Sequence, residues 1–330
     1  MIIGGAEDKL SKRRILKEFV TASGGPDARI AVIPSASSLG NEIVEVYDAL
    51  FRAEGAAEVT TVRPESREEA HDPELVADLE KATGIFMTGG NQLKLSALVC
   101  GTPVGDAIVA AHHRGAVVGG TSAGASIQSS HMLAFGVGGT TPKQRMTQMA
   151  AGLGLLPGTV IDQHFAQRNR YGRLLMIVAQ SPQLLGIGVD EDTAAIVRGD
   201  VLGVVGRGAV TILDPRHITT NAFDARRSAP LLASGVVLHV LPQGARFDLG
   251  TRTLLPFETH VDPLEAAELE EAGRDLRQMA RDINADDASP SVLRRRLRRR
   301  RKDDPAPDRR SDPTFDSAQL DDPHLDGDDA

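Results

Sequence analysis

Through the first two thirds of the chain, short apolar runs alternate with segments whose apolar residues recur every three or four positions. The runs Arg29 to Pro34 (RIAVIP), Glu58 to Val62, Gly84 to Thr88 (GIFMT) and Ala116 to Gly119 predict strands. Asn41 to Glu54 and Pro73 to Lys81 predict helices between them. Apolar runs without alternation are strands buried on both faces, and strands separated by helices run parallel. The pattern therefore predicts an α/β fold, a mainly parallel sheet between two helical layers. Further on, AAIVRGDVLGVVG holds two β-rich runs split by Gly199-Asp200, which predicts a hairpin added to that sheet.

The character changes after about His260. Asp262-Pro263 can open a helix. Leu269, Ala272, Leu276, Met279 and Ile283 then recur at alternating spacings of three and four, an amphipathic stripe over 261–283 that can pack on the body or on a partner. From 284 to 330 the chain is rich in Asp, Arg and Pro, with LRRRLRRRRK followed by a run ending LDDPHLDGDDA. Such a composition buries too little apolar surface to fold, and a disordered tail is expected. An electrostatic arm for a polyanion is the other reading, with the acidic stretch competing for the same Arg side chains. The expected division is a body over 1–260, a helix over 261–283 and a tail over 284–330.

Composition narrows the function classes. Aromatics make up 3% of the 330 residues and Trp is absent, which argues against a stacking platform for bases or sugars. The formal net charge of −8 argues against a nucleic-acid partner for the body. Cys100 is the one cysteine, so neither an intrachain disulfide nor a multi-cysteine metal site can form. Its setting, Leu98-Val99-Cys100-Gly101, reads as a helix end with a buried thiol. No apolar run approaches the roughly 20 residues that span a membrane. MIIGGAEDKL runs almost at once into a glycine turn, with no room for a signal peptide, so a cytoplasmic address without membrane partners is expected.

The strongest local signal is AVVGGTSAGASI. A β-rich run enters Gly120-Thr121-Ser122-Ala123-Gly124 and a helix-compatible run leaves it, the strand–turn–helix setting that gives Gly-x-Ser-x-Gly its meaning. The turn lifts the Ser122 hydroxyl above the sheet. The Ala123 amide opens a helix, where unpaired N–H groups favour a developing oxyanion. A glycine-rich turn that binds phosphate or merely connects two elements would share the pattern. A second signal, VIDQHFAQRNRYGRLL, places His164 after an apolar run, at the sheet edge expected for Ser122. Asp162, Gln163, Arg168, Arg170 and Arg173 surround it, and on a helix Arg170 and Arg173 share a face. Guanidinium groups suit carboxylate recognition, and a solvated basic face is the alternative. The third signal, LLGIGVDEDTAAIV, sets Asp190, Glu191 and Asp192 at the end of an apolar strand. Either one of them orients an imidazole or they line a surface turn.

Taken in order, GGAEDK, TGGNQLKLSAL, GTSAGAS, DQHFAQRNRYGRLL and GVDEDTA closely resemble the cyanophycinases, over roughly residues 1 to 260. The resemblance implies a serine peptidase on a flavodoxin-like, class I glutamine amidotransferase-like fold, without cofactor or metal. By motif position it assigns Ser122 as nucleophile, His164 as base and Glu191 as the acid. The chain order Ser, His, Glu also departs from that of α/β-hydrolases. Gly90 and Ala123 become the oxyanion donors. Asn91, Gln92, Asp162, Gln163, Arg168, Arg170 and Arg173 become substrate contacts, the arginines for carboxylates and Asp162 or an acid near Glu191 for guanidinium. Asn91 stands where Asp is usual and Asn169 where Gly is usual. The implied substrate is cyanophycin, a poly-aspartate carrying arginine on its side chains through isopeptide bonds, released as β-Asp-Arg dipeptides. A homodimer is expected. The alternatives are an aspartyl dipeptidase-like serine peptidase and a non-catalytic binder of poly-amino acids.

Overall fold

A computed structural model describes residues 1–226 and 228–256, together with Glu271, Gly273 and Arg274. The chain divides into Met1–His260 and Val261–Ala330. The expected amphipathic helix and charged tail lie outside the described residues, apart from those last three, which are helical.

Within Met1–His260, strands β1 (Ile2–Ile3), β2 (Arg29–Ile33), β3 (Glu58–Thr61), β4 (Gly84–Met87) and β5 (Val117–Thr121) pair in parallel in the order β1-β5-β4-β2-β3. The four strands expected from apolar runs are β2 to β5. The fifth, β1, is two residues long and carries no period by which a sequence could announce it. Alternate side chains of β2 and β4 enter different cores: Ala31, Ile33, Ile85 and Met87 on one face, Ile30, Val32 and Phe86 on the other. That is why these strands read as unbroken apolar runs.

Helices α1 (Arg14–Ala22) and α2 (Asn41–Ala53) cover one face, and α3 (Pro73–Lys81), α4 (Gln92–Val99) and α5 (Pro103–His113) the other. Under α1 and α2, Phe19, Tyr47, Phe51 and Phe86 form a cluster with ring centroids 4.8–5.7 Å apart. Each such buried ring contributes about 1.5–3 kcal/mol of transfer free energy. Local signals set the helix starts. Asp72 accepts from Glu74 N–H ahead of Pro73, and Thr102 from Gly105 N–H ahead of Pro103.

The short helix α6 (Ala123–Ser126) follows β5, and β6 (His131–Gly136) and β7 (Thr147–Ala151) make a separate hairpin. Strand β8 (Thr159–Gln163) leads through α7 (Tyr171–Gln180) to the parallel strand β9 (Leu185–Val189). Strands β10 (Thr193–Arg198) and β11 (Val201–Gly206) form the expected hairpin, which joins the main sheet antiparallel to β1. The sheet is thus mixed. Strand β12 (Val210–Asp214) pairs with β9, and, after the short pair β13 (Thr219–Thr220) and β14 (Ala233–Ser234), β15 (Val237–Leu241) pairs with β12. Strands β16 (Arg246–Asp248) and β17 (Thr253–Leu254) extend the main sheet beyond β11. The second sheet, β15-β12-β9-β8, was not expected, because its apolar runs read like those of the first. One core, including Ile2, Ile161, Ile187, Ala195 and Val204, joins residues of both sheets.

Candidate active site

Strand β5 delivers Ser122 at φ 51°, ψ −103°, a conformation that side chains with a Cβ adopt only when held. The hold is visible: Ser122 N–H donates to Ile3 C=O at 3.0 Å, and its own carbonyl accepts from Ala125 and Ser126 N–H. The flanking glycines are dictated by close approach. A Cβ on Gly120 would fall 2.2 Å from Gly124 O, and one on Gly124 would fall 2.2 Å from Met87 O. Both arms of the turn pack backbone to backbone.

His164 follows β8 at φ 48°, and its N–H donates to Gly4 C=O at 2.8 Å. The ring stands with Nε2 2.9 Å from Ser122 Oγ and Nδ1 2.6 Å from Glu191 Oε1. An ionised carboxylate only accepts, so Nδ1 carries the proton and Nε2 is free to accept from the serine hydroxyl. Burial holds the imidazole below its ordinary pKa; the Glu191 hydrogen bond opposes this, and the charges of Arg168 and Arg170 reinforce it.

The three acids after β9 have separate partners. Glu191 bonds the imidazole, while its backbone N–H donates to Gln167 Oε1 at 3.0 Å. Asp190 accepts from Ala166 N–H and Ala209 N–H, closing the His164 turn against the start of β12. Asp192 accepts from Asp8 N–H at 2.8 Å.

The loop after β4 forms a second wall, where a Cβ on Gly89 would touch Ser122 Cβ at 3.4 Å. The N–H groups of Gly90 and Ala123 have no hydrogen-bond partner among the described residues. Asn91, expected to contact substrate, caps α4, its Oδ1 accepting from Leu93 and Lys94 N–H. Asn and Asp are equally good caps, so the departure from the usual Asp leaves this turn intact. Gln92 donates from Nε2 to Leu133 C=O at 2.8 Å, tying α4 to β6. Asn169 sits at φ 48°, a conformation Asn tolerates next best after Gly, which accounts for the second departure.

Four further expected contacts, Asp162, Gln163, Arg170 and Arg173, are corrected by burial. Asp162 is wholly buried at 0% exposure, so it cannot meet a substrate guanidinium. It is instead the centre of an ion network: Arg173 spans both of its oxygens from Nε (2.6 Å) and Nη2, and Arg170 Nη1 lies 3.3 Å from Oδ1. Arg173, 2% exposed, also donates to Gly136 C=O and so anchors the β6–β7 hairpin. Gln163 is likewise buried, joined to Arg170 and to Ser126 Oγ. Burial pulls the Arg170 pKa down to about 10, which leaves it charged at neutral pH. Arg168 alone of the three arginines is exposed, and it has no ion-pair partner among the described residues.

Residue-by-residue reading of the sequence missed Gly4, Gly5 and Gln167. The first two fall in the GGAEDK motif, to which no role was attached, and their partners lie more than 150 residues away.

A mixed sheet in an α/β fold that sets serine, imidazole and carboxylate side by side at the ends of strands is the arrangement of a serine hydrolase. Residues 1–205 match the model of Peptidase family S51, and the chain belongs to that family. It is 43% identical over 260 residues to a cyanophycinase of Nostoc sp., covering 78% of this chain and 87% of the relative. It is 42% identical over 263 residues to a cyanophycinase of Synechococcus elongatus, covering 76% and 79%. Among solved structures it resembles a peptidase from an acI-B1 actinobacterium, with a TM-score of 0.56 at 23% identity, covering 74% of this chain and 94% of the other. That likeness concerns the fold alone.

Proposed function

We propose that the chain is a cyanophycin-degrading serine peptidase in which Ser122, His164 and Glu191 act as the triad. The observation that carries this reading is the continuous path Ser122 Oγ, His164 Nε2, His164 Nδ1, Glu191 Oε1, with contacts of 2.9 and 2.6 Å, in a chain 43% identical to a cyanophycinase. Ser122 Oγ attacks a main-chain carbonyl of the poly-aspartate while His164 Nε2 takes its proton. Glu191 holds the ring in the required tautomer and stabilises the imidazolium. The tetrahedral oxyanion lies between the free N–H groups of Gly90 and Ala123. Its collapse breaks the C–N bond, and His164 returns the proton to the leaving amine. Water, deprotonated by His164, then hydrolyses the ester on Ser122. Cutting the main chain leaves each isopeptide bond intact, so the product is β-Asp-Arg.

Arg168, exposed beside His164 and without an ion-pair partner among the described residues, is the candidate for holding a substrate carboxylate. The flavodoxin-like description of the sheet, the homodimer and the cytoplasmic address belong to the same reading. The experiment is digestion of purified cyanophycin with identification of products, set against hydrolysis of Asp-X dipeptides. Release of β-Asp-Arg from the polymer is the expected result. Turnover of Asp-X dipeptides with the polymer left intact would overturn the substrate assignment.

A further inference from the structure

The buried Glu7 has no part in the triad, yet it lies one residue's reach from the nucleophile. Its side chain is 1% exposed. Oε2 accepts from Thr121 Oγ at 2.6 Å, and Thr121 immediately precedes Ser122. Oε1 accepts from Tyr47 Oη at 2.5 Å and from Lys9 Nζ at 2.7 Å, while Lys9 also sits 5.4 Å from the centre of the Tyr47 ring. Burial raises the carboxyl pKa, but the Lys9 charge and the hydrogen bonds from Lys9, Thr121 and Tyr47 together hold it below its ordinary value. The group is an anion.

A buried anion is an expensive way to fill space, since apolar side chains of similar volume often stabilise more. Its position suggests another use. Ile3, Gly4 and Gly5, just upstream, accept from the backbone N–H groups of Ser122, His164 and Asp192 in turn. One segment thus touches each of the three turns that bear the triad. Glu7 supplies the side-chain anchor of that segment, gripping Thr121 where the backbone is about to enter the held conformation at Ser122.

We propose that Glu7 is a positioning residue for Ser122: its carboxylate, locked by Tyr47 and Lys9, pins the Thr121 hydroxyl and so aims Ser122 Oγ at His164. This rests on Ser122 being the nucleophile, and the test keeps the two ideas apart. Three variants are compared with wild type: Thr121→Val, which removes only the hydroxyl, Thr121→Ser, which restores it, and Glu7→Gln. Each is assayed for kcat and KM on cyanophycin and for the rate at which a fluorophosphonate labels Ser122, with thermal midpoints alongside. Thr121→Val should lower kcat and the labelling rate about 10- to 100-fold, the scale expected for a small misplacement of a reacting group, and leave KM unchanged. Thr121→Ser should recover most of the loss. Glu7→Gln keeps one acceptor oxygen but loses the charge that pairs with Lys9, so it should lower kcat and labelling in the same direction by a smaller factor, and the double variant should be no worse than Thr121→Val alone. Should Glu7→Gln fail to fold, the Thr121 pair carries the test alone. Wild-type labelling and kcat in Thr121→Val, or no recovery in Thr121→Ser, overturns the proposal. If wild type labels at Ser122 but leaves cyanophycin intact, the substrate reading fails while labelling still decides Glu7. If wild type does not label at Ser122, the nucleophile reading falls and this proposal with it.

Discussion

Gly5 lies flat against the imidazole of His164: a Cβ placed on it would fall 2.2 Å from His164 Cε1 and 2.6 Å from Nε2. Gly5 also stands at φ 105°, where L side chains are strained. The ring that bridges Ser122 and Glu191 therefore rests on bare backbone. Gly5→Ala should push the ring off this floor and lower kcat on the order of 100-fold, the scale of a misplaced catalytic group. The strain should cost about 1–3 kcal/mol of stability, which urea unfolding measures. Near-normal kcat in a folded Gly5→Ala protein would show that the ring does not depend on this contact.

The acids Asp190, Glu191 and Asp192 should separate cleanly on mutation. Glu191→Gln removes the charge on His164 Nδ1 and should lower kcat on the order of 10⁴-fold, as loss of the orienting acid does in a comparable triad. Asp192→Asn keeps an oxygen for the Asp8 N–H and should change activity little. Asp190→Asn loses one of the two side-chain oxygens that accept from backbone N–H groups and should act chiefly on the unfolding midpoint. Steady-state kinetics with denaturant unfolding on all three variants checks this. Equal losses of kcat would point to a general field of negative charge instead.

The pH profile follows from the base. In the proposed mechanism His164 acts when neutral, and burial together with the charges of Arg168 and Arg170 keeps its proton affinity below the ordinary value of 6.5, against the opposing Glu191. The acid limb of kcat/KM should therefore lie below that value, with activity retained into mildly acidic solution. Removing a nearby positive charge makes the imidazolium easier to form, so Arg168→Gln should move the limb to higher pH. A limb that stays in place, or moves down, contradicts the assignment of His164 as the titrating base.

Asp162 is a test of burial over chemistry. Asp162→Ala leaves Arg170 and Arg173 inside the protein without their counter-charge, and breaking a buried pair in this way costs about 3–5 kcal/mol. Urea unfolding should register a loss of that size. A variant of unchanged stability with a raised KM would return Asp162 to the substrate pocket.

Which parts were legible in the sequence depended on the range of the interaction. The elbow is local: a strand into Gly120, a turn at Ser122 and a helix from Ala123 all lie within a few residues, and the spacing of small side chains betrays them. Strands β2, β4 and β5 were legible for the same reason, each being a largely buried run, whereas the edge strand β3 is only partly buried and shows through its β-branched residues. The β1 strand and its Gly4-Gly5 extension were not, because their significance lies in partners around positions 120, 164 and 192. Arg170 and Arg173 show the limit of periodicity. Their spacing is that of a shared helix face, but whether the face meets solvent or Asp162 is decided by where β8 packs. The second sheet escaped because an apolar run specifies burial and not a neighbour.

The central claim is that Ser122 cleaves cyanophycin through a covalent ester, and one measurement addresses it directly. Purified wild-type protein and Ser122→Ala are incubated with cyanophycin, and soluble products are separated and identified by mass. Ala fits the turn and removes only the hydroxyl, so the variant should fold as wild type does. The account predicts β-Asp-Arg from wild type and a rate lower by about 10⁴-fold or more from Ser122→Ala. Comparable β-Asp-Arg release by a folded Ser122→Ala protein, or an intact polymer after incubation with wild type, would contradict it.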